Sequence, residues 1–177
     1  MENGNEYLER FVERYSQWAK ENLATYLAGE IKDAMRTYPF VIHHDSPWTV
    51  LNKEIADCKL AMVTSGGLYL RSQEPFRLEG IDGDWTFRSI PKEAPKEDIL
   101  ISHPHYDHRF ALEDLNCIFP IDRFREFEAE GKIRELARTH YSFGYVNNIY
   151  GLVKESIPHV IAHLQEEEVD IVFLVPV

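Results

Sequence analysis

Val169-Asp170-Ile171-Val172-Phe173-Leu174-Val175-Pro176-Val177 is a short, unbroken apolar run rich in β-branched residues. That is the pattern of a strand buried on both faces, as in parallel sheets. A helical segment at 151–167 precedes it. Two further stretches read as core strands, Lys59-Leu60-Ala61-Met62-Val63-Thr64 and Asp98-Ile99-Leu100-Ile101-Ser102, and residues 85–90 alternate like a half-buried strand. Strands separated by helices predict an α/β fold: a three-layer, mainly parallel sheet with flanking helices. In such sheets the chemistry sits just past the carboxyl ends of the strands. A central strand at 169–177 therefore predicts that the loop carrying the chemistry follows Val177 and that the α/β domain is truncated there.

The 177 residues carry a net charge of −11, with 44% apolar and 28% charged residues. This is the composition of an ordinary soluble domain. The negative charge excludes a basic, phosphate-binding surface and argues against anionic membranes and nucleic acid. There is no apolar run of the roughly 20 residues that a membrane-spanning helix needs. The acidic start, Met1-Glu2-Asn3-Gly4-Asn5-Glu6, is not a secretory signal, and the reading is a cytoplasmic protein. Cys58 and Cys117 form no paired motif, and their apolar flanks predict buried, inert thiols.

Residues 1–46 read as an N-terminal helical segment and 47–177 as the α/β domain. Leu8, Phe11, Tyr15, Trp18, Leu23, Tyr26 and Leu27 fall at helical spacing over 6–36, with Gly29 as a break and Pro39 as the end. The aromatic stripe is predicted to bury part of its area against another subunit in an oligomer. His43-His44-Asp45-Ser46-Pro47-Trp48 reads as a loop. So do residues 71–84 and 138–145, and an amphipathic helix is predicted over 121–138, with Gly131 a possible split. Pro158 either kinks the helix at 151–167 or starts its second half.

Two clusters are candidates for chemistry. Thr64-Ser65-Gly66-Gly67 closes a parallel strand, where paired glycines let backbone N–H groups approach a substrate anion, though paired glycines also make plain turns. His103-x-His105-Tyr106-Asp107-His108 follows the second strand. It matches the metal-binding signature of the metallo-β-lactamase superfamily, whose zinc is held by such imidazoles and carboxylates. The glycine pair of that signature is missing, and Arg109-Phe110-Ala111-Leu112 stands in its place. A metal-dependent hydrolase is thus one alternative. Another is a hydrogen-bonded cluster that orders a loop, and a third is a metal-free active site that binds a carboxylate or moves protons. His140-Tyr141-Ser142 offers a donor trio that either binds substrate or caps the next helix.

A series of segments resembles one family. It runs Pro47-Trp48-Thr49, Lys59-Leu60-Ala61-Met62-Val63-Thr64-Ser65-Gly66-Gly67, Gly83-Asp84-x-x-Phe87-Arg88-x-Ile90-Pro91 and Ile101-Ser102-His103-x-His105-Tyr106-Asp107. Asp114-Leu115-Asn116-x-x-Phe119-Pro120-x-Asp122-Arg123, His140-Tyr141-Ser142-Phe143-Gly144 and Val175-Pro176-Val177 complete it. In this order they resemble the selenoprotein B family of glycine, sarcosine, betaine and D-proline reductases. The resemblance implies reductive cleavage of the Cα–N bond of an amino acid or amine by a selenolate or thiolate, with the adduct resolved by a dithiol donor. It implies other reductase subunits as partners, one of which carries a pyruvoyl group in the D-proline type, and no metal. The candidates for substrate binding remain Thr64, Ser65, Gly66, Gly67, His140, Tyr141 and Ser142, with His103, His105, Tyr106, Asp107 and His108 as supporting candidates. The nucleophile, selenocysteine or cysteine, is expected immediately after Val177, encoded by UGA if it is selenocysteine. This chain would then be inactive by itself. A non-catalytic, partner-binding paralogue is the remaining alternative.

Overall fold

The computed structural model describes residues 4–42 and 49–177. The loop reading on residues 43–48, and with it the Pro47-Trp48 segment, lies outside them.

The main sheet is built around β1, Lys59–Thr64, whose interior residues Leu60, Ala61 and Met62 are buried. β5 (Glu135–Leu136) pairs with the start of β1 and β6 (Thr139–Phe143) with its end, both parallel. The two are one flank of the sheet interrupted at Ala137-Arg138. The imidazole of His140 fills the gap in the ladder: its Nδ1 accepts the Met62 N–H at 3.1 Å. β3 (Phe87–Pro91) adds to β6 antiparallel. β7 (Ile171–Val175) runs parallel along the other flank of β1, with Ala61 opposite Val172 and Thr64 opposite Val175.

Helices cover both faces, as the three-layer reading requires. α4 (Ile121–Ala129) lies on one face, where Phe124 meets Phe173 at 5.0 Å between ring centroids. α6 (Ile157–Glu166) lies on the other, where His163 stacks on Tyr141. A separate antiparallel pair, β2 (Leu68–Leu70) and β4 (Ile99–Ile101), continues past the carboxyl end of β1.

Several expectations are corrected. β7 is an edge strand of this chain and not a central one: Val172, Phe173 and Leu174 are 39%, 43% and 67% exposed. Ile99–Ile101 stands in the small sheet and not in the main one. Helix 121–138 ends at Ala129, because Gly131 takes φ +68° and turns the chain back so that Ile133 and Leu136 reach the core. Residues 139–143, read as a loop, are β6. At the other break, a wide turn at Leu152–Ser156 precedes Pro158, which occupies the first turn of α6 where its missing N–H costs nothing.

The N-terminal segment folds back on itself. α1 (Gly4–Leu27) ends where Gly29 adopts φ +82°, and the short α2 (Ile31–Ala34) returns. Phe11, Tyr15, Trp18 and Tyr26 are buried with Ala34 and Ile81, and Tyr145 and Ile149 pack against them. The Trp18 indole N–H donates to the Ala34 carbonyl. The stripe predicted to meet another subunit is therefore core of this chain, and only Leu23 and Leu27 of the series remain exposed. No helix among the described residues is long and apolar enough to cross a membrane.

Candidate functional site

Beyond the carboxyl end of β1 the chain makes a tight Ser65-Gly66-Gly67 turn. Ser65 N–H donates to Val175 O at 3.1 Å, and the Val177 N–H donates back to Ser65 Oγ at 2.9 Å. Gly66 N–H is held by Thr64 Oγ1, whose own proton goes to the Ile118 carbonyl. Gly67 N–H donates to Phe143 O. The N–H groups of all three turn residues are thus engaged within the fold. Close approach requires glycine at Gly67 and leaves little room at Gly66. A Cβ on Gly67, at φ +69°, would stand 2.4 Å from Ser102 O, and one on Gly66 would meet Ile118, Thr64 and Val177.

The His103–His108 run lies directly against this turn. Ser102 N–H donates to Gly67 O, and the Tyr106 hydroxyl donates to Gly66 O at 2.9 Å. Tyr106 carries the His103 ring on one side, at 4.9 Å, and the His108 ring on another, at 4.4 Å. The His105 backbone N–H donates to His103 Nδ1, which places the proton of a neutral His103 on Nε2. The His105 ring stands edge-on to Tyr145 at 4.2 Å, and its Nε2 lies 3.4 Å from the Tyr26 hydroxyl. Val177, Ser65, Gly66, Tyr106, His103 and His105 therefore form one contiguous cluster at the strand ends.

Electrostatics favour neutral imidazoles here. Burial, followed by the neighbouring His105 and His108, pushes the His103 pKa down to about 4. Burial also lowers that of His105, and it raises the Tyr106 hydroxyl to about 12. Asp107 turns away: Arg109 grips it with two guanidinium nitrogens and holds its carboxyl below the ordinary range. Among the described residues no three His, Cys, Asp or Glu side chains gather in a metal-binding arrangement.

The other predicted site residues point elsewhere. His140 is fully buried against Phe119, with Nδ1 in the sheet ladder and Nε2 without a partner. Tyr141 faces α6, and Ser142 Oγ accepts the Leu68 N–H at 2.7 Å. These three hold the strand and the turn together and do not line the cluster. The cysteines stand apart from it as well. Cys58 is buried as its sequence predicts, with its thiol on the Glu54 carbonyl, but the burial predicted for Cys117 is corrected: it lies exposed in the short turn Leu115–Cys117. Tyr26 and Tyr145 escaped the sequence reading. Nothing in local spacing links Tyr26 to a histidine 79 positions away, and only the folded hairpin brings them together.

Comparison with known proteins accords with the segment series. The family model for glycine/sarcosine/betaine reductase selenoprotein B matches residues 36–176. D-proline reductase subunit gamma of Acetoanaerobium sticklandii is 37% identical over 128 residues, which is 72% of this chain and 52% of that protein. Sarcosine reductase complex component B subunit beta of Peptoclostridium acidaminophilum is 30% identical over 70% of this chain and 28% of its own length. The glycine reductase complex component B subunit gamma of Carboxydothermus hydrogenoformans is 31% identical over 51% of this chain and 21% of its own. The chain thus spans about half the length, or less, of these curated relatives. No solved structure gives a significant match. With most of its length matched, and with the turn after β1 and the histidine run inside the match, the chain belongs to the glycine/sarcosine/betaine reductase selenoprotein B family.

Proposed function

We propose that this chain builds the substrate cleft of a reductase-complex subunit that cleaves the Cα–N bond of a small amino acid or amine of the glycine, sarcosine, betaine or D-proline type. The observation that carries the reading is the Val177 N–H on Ser65 Oγ, at 2.9 Å, beside Gly66 and the tyrosine that carries His103. A residue following Val177 starts in that cluster. Gly66 lies beside that end of the chain, since a Cβ on it would stand 3.5 Å from Val177 Cγ2. A selenolate or thiolate at that point supplies the electron pair that displaces the amine, and an external dithiol supplies the two reducing electrons.

This chain's own residues shape the cleft. The Ser65-Gly66-Gly67 turn fixes the path of the chain after β7. Tyr106 fastens the histidine run to that turn. His103 and His105, neutral near pH 7, offer hydrogen bonds to a carboxylate or an amine without adding charge. The partners are the other subunits of the complex, and a reaction run on reduced thiols belongs in the cytoplasm.

The test compares the 177-residue chain with the product of the natural reading frame carried past Val177, each combined with its partner subunits. Dithiol-dependent release of amine is measured on glycine, sarcosine, betaine and D-proline. Turnover of one of these by the longer chain, and none by the shorter, is the expected result. Equal turnover by both, or none by a longer chain with an intact chalcogen, contradicts the reading. The second of these outcomes is the one a non-catalytic paralogue would give.

A further inference from the structure

The family match begins at residue 36, yet a side-chain hydroxyl that meets His105 comes from before it. Tyr26 lies on the last turn of α1 and is 8% exposed. Its hydroxyl stands 3.4 Å from His105 Nε2, with the two rings crossed at 86°. The same hydroxyl is within hydrogen-bonding reach of Tyr145 and Asn147. Those two are fixed already: the Tyr145 hydroxyl donates to Asn147 Oδ1 at 2.7 Å, and Asn147 Nδ2 donates to Ile81 O at 2.8 Å. Asn147 Nδ2 has a second proton to offer the Tyr26 oxygen, and the single Tyr26 proton has two acceptors to choose from, the Tyr145 oxygen and His105 Nε2.

We propose that Tyr26 is a positioning residue for His105: its hydroxyl donates to Nε2, so the proton of the neutral ring resides on Nδ1, and the N-terminal helix becomes part of the cleft. Which imidazole nitrogen carries the proton is set by the hydrogen bond that the other one makes. The Tyr145 ring packs against the imidazole at 4.2 Å and restrains its rotation. Burial and the nearby Tyr145 raise the Tyr26 pKa, so the hydroxyl stays a donor through the neutral range. The result is a fixed, uncharged Nδ1–H donor among the groups at the strand ends. Its use on a substrate carboxylate or leaving amine rests on the reductase reading above.

The experiment is a long-range proton–nitrogen correlation spectrum of the 177-residue protein carrying 15N-labelled histidine, at neutral pH. The His105 signals are identified by their loss in His105→Gln. In the wild-type chain Nδ1 is expected to be the protonated nitrogen. In Tyr26→Phe the proton should move mainly to Nε2, while His103 keeps its proton on Nε2 and reports that the fold is intact. A wild-type His105 protonated at Nε2 overturns the assignment, as does an unchanged Nδ1 proton in Tyr26→Phe. Should the variant fail to fold, the wild-type spectrum alone decides. Because no substrate enters the measurement, its failure is distinct from failure of the reductase reading, which would appear as an inactive wild-type complex.

Discussion

At the scale of single residues, two kinds of constraint meet at the end of β1. Gly67 combines a positive φ with a carbonyl 2.4 Å from where a Cβ would be. Gly67→Ala is therefore predicted to cost about 2–4 kcal/mol, read as a fall in the urea midpoint. The second constraint is the burial of neutral imidazole. His140 is fully buried, and its pKa is held down to about 4 by burial and then by Arg125 and Lys92. The unfolded chain takes up that proton near pH 6.5 and the folded chain only near pH 4, so the unfolded state binds more protons between them. Stability is full above pH 6.5 and falls as the pH drops through this window, by about 2 kcal/mol from this residue by pH 5. In His140→Asn, whose amide oxygen can still accept the Met62 N–H, the urea midpoint should vary less between pH 7 and pH 5. An unchanged slope would mean that His140 is charged or solvated in the folded state.

At the scale of elements, β7 separates what its sequence encodes from what this chain does with it. Five apolar residues in a row encode a strand, and the strand forms where the pattern puts it, but only one of its flanks is paired here. Leu174→Lys is predicted to change stability by no more than about 0.5 kcal/mol, whereas Met62→Ala in β1 costs about 2–5 kcal/mol. Urea midpoints compare the two, and a large loss in Leu174→Lys would place β7 in the interior. The limits of β1 and the turn after it were legible, because a β-branched apolar run closed by Ser-Gly-Gly has few alternatives. β6 was not. Its His140, Tyr141 and Ser142 look like loop chemistry until the Met62 and Leu68 N–H groups are seen to need their nitrogen and oxygen. Helix 121–138 was overextended for a related reason, since Ile133 and Leu136 continue the helical period by accident after Gly131 has ended the helix. In the site, Tyr106 and the histidine run were visible as a local motif. Tyr26 and Tyr145 were not, because their contribution depends on tertiary contact alone.

At the scale of the whole molecule, the N-terminal hairpin is bound into the fold and reaches the site. Trp18 is 3% exposed, meets Tyr15 and Tyr38, and donates its N–H to Ala34 O. Trp18→Ala should cost about 3–5 kcal/mol, seen in the thermal midpoint, and should raise the solvent accessibility of His105. The central claim is the proposal for the other end of the chain, that a nucleophile placed after Val177 would enter the cluster of Ser65, Gly66, Tyr106, His103 and His105. Covalent labelling tests it most directly. The product of the reading frame carried past Val177 is assembled with the other reductase subunits, reduced, and inactivated with iodoacetamide in the presence and absence of substrate, and the labelled residue is identified by mass spectrometry. The account predicts that inactivation tracks one label on the chalcogen immediately after Val177, that substrate protects it, and that Cys58 and Cys117 do not account for the loss. Inactivation that tracks a label on Cys117, or full turnover with the residue after Val177 blocked, would contradict it.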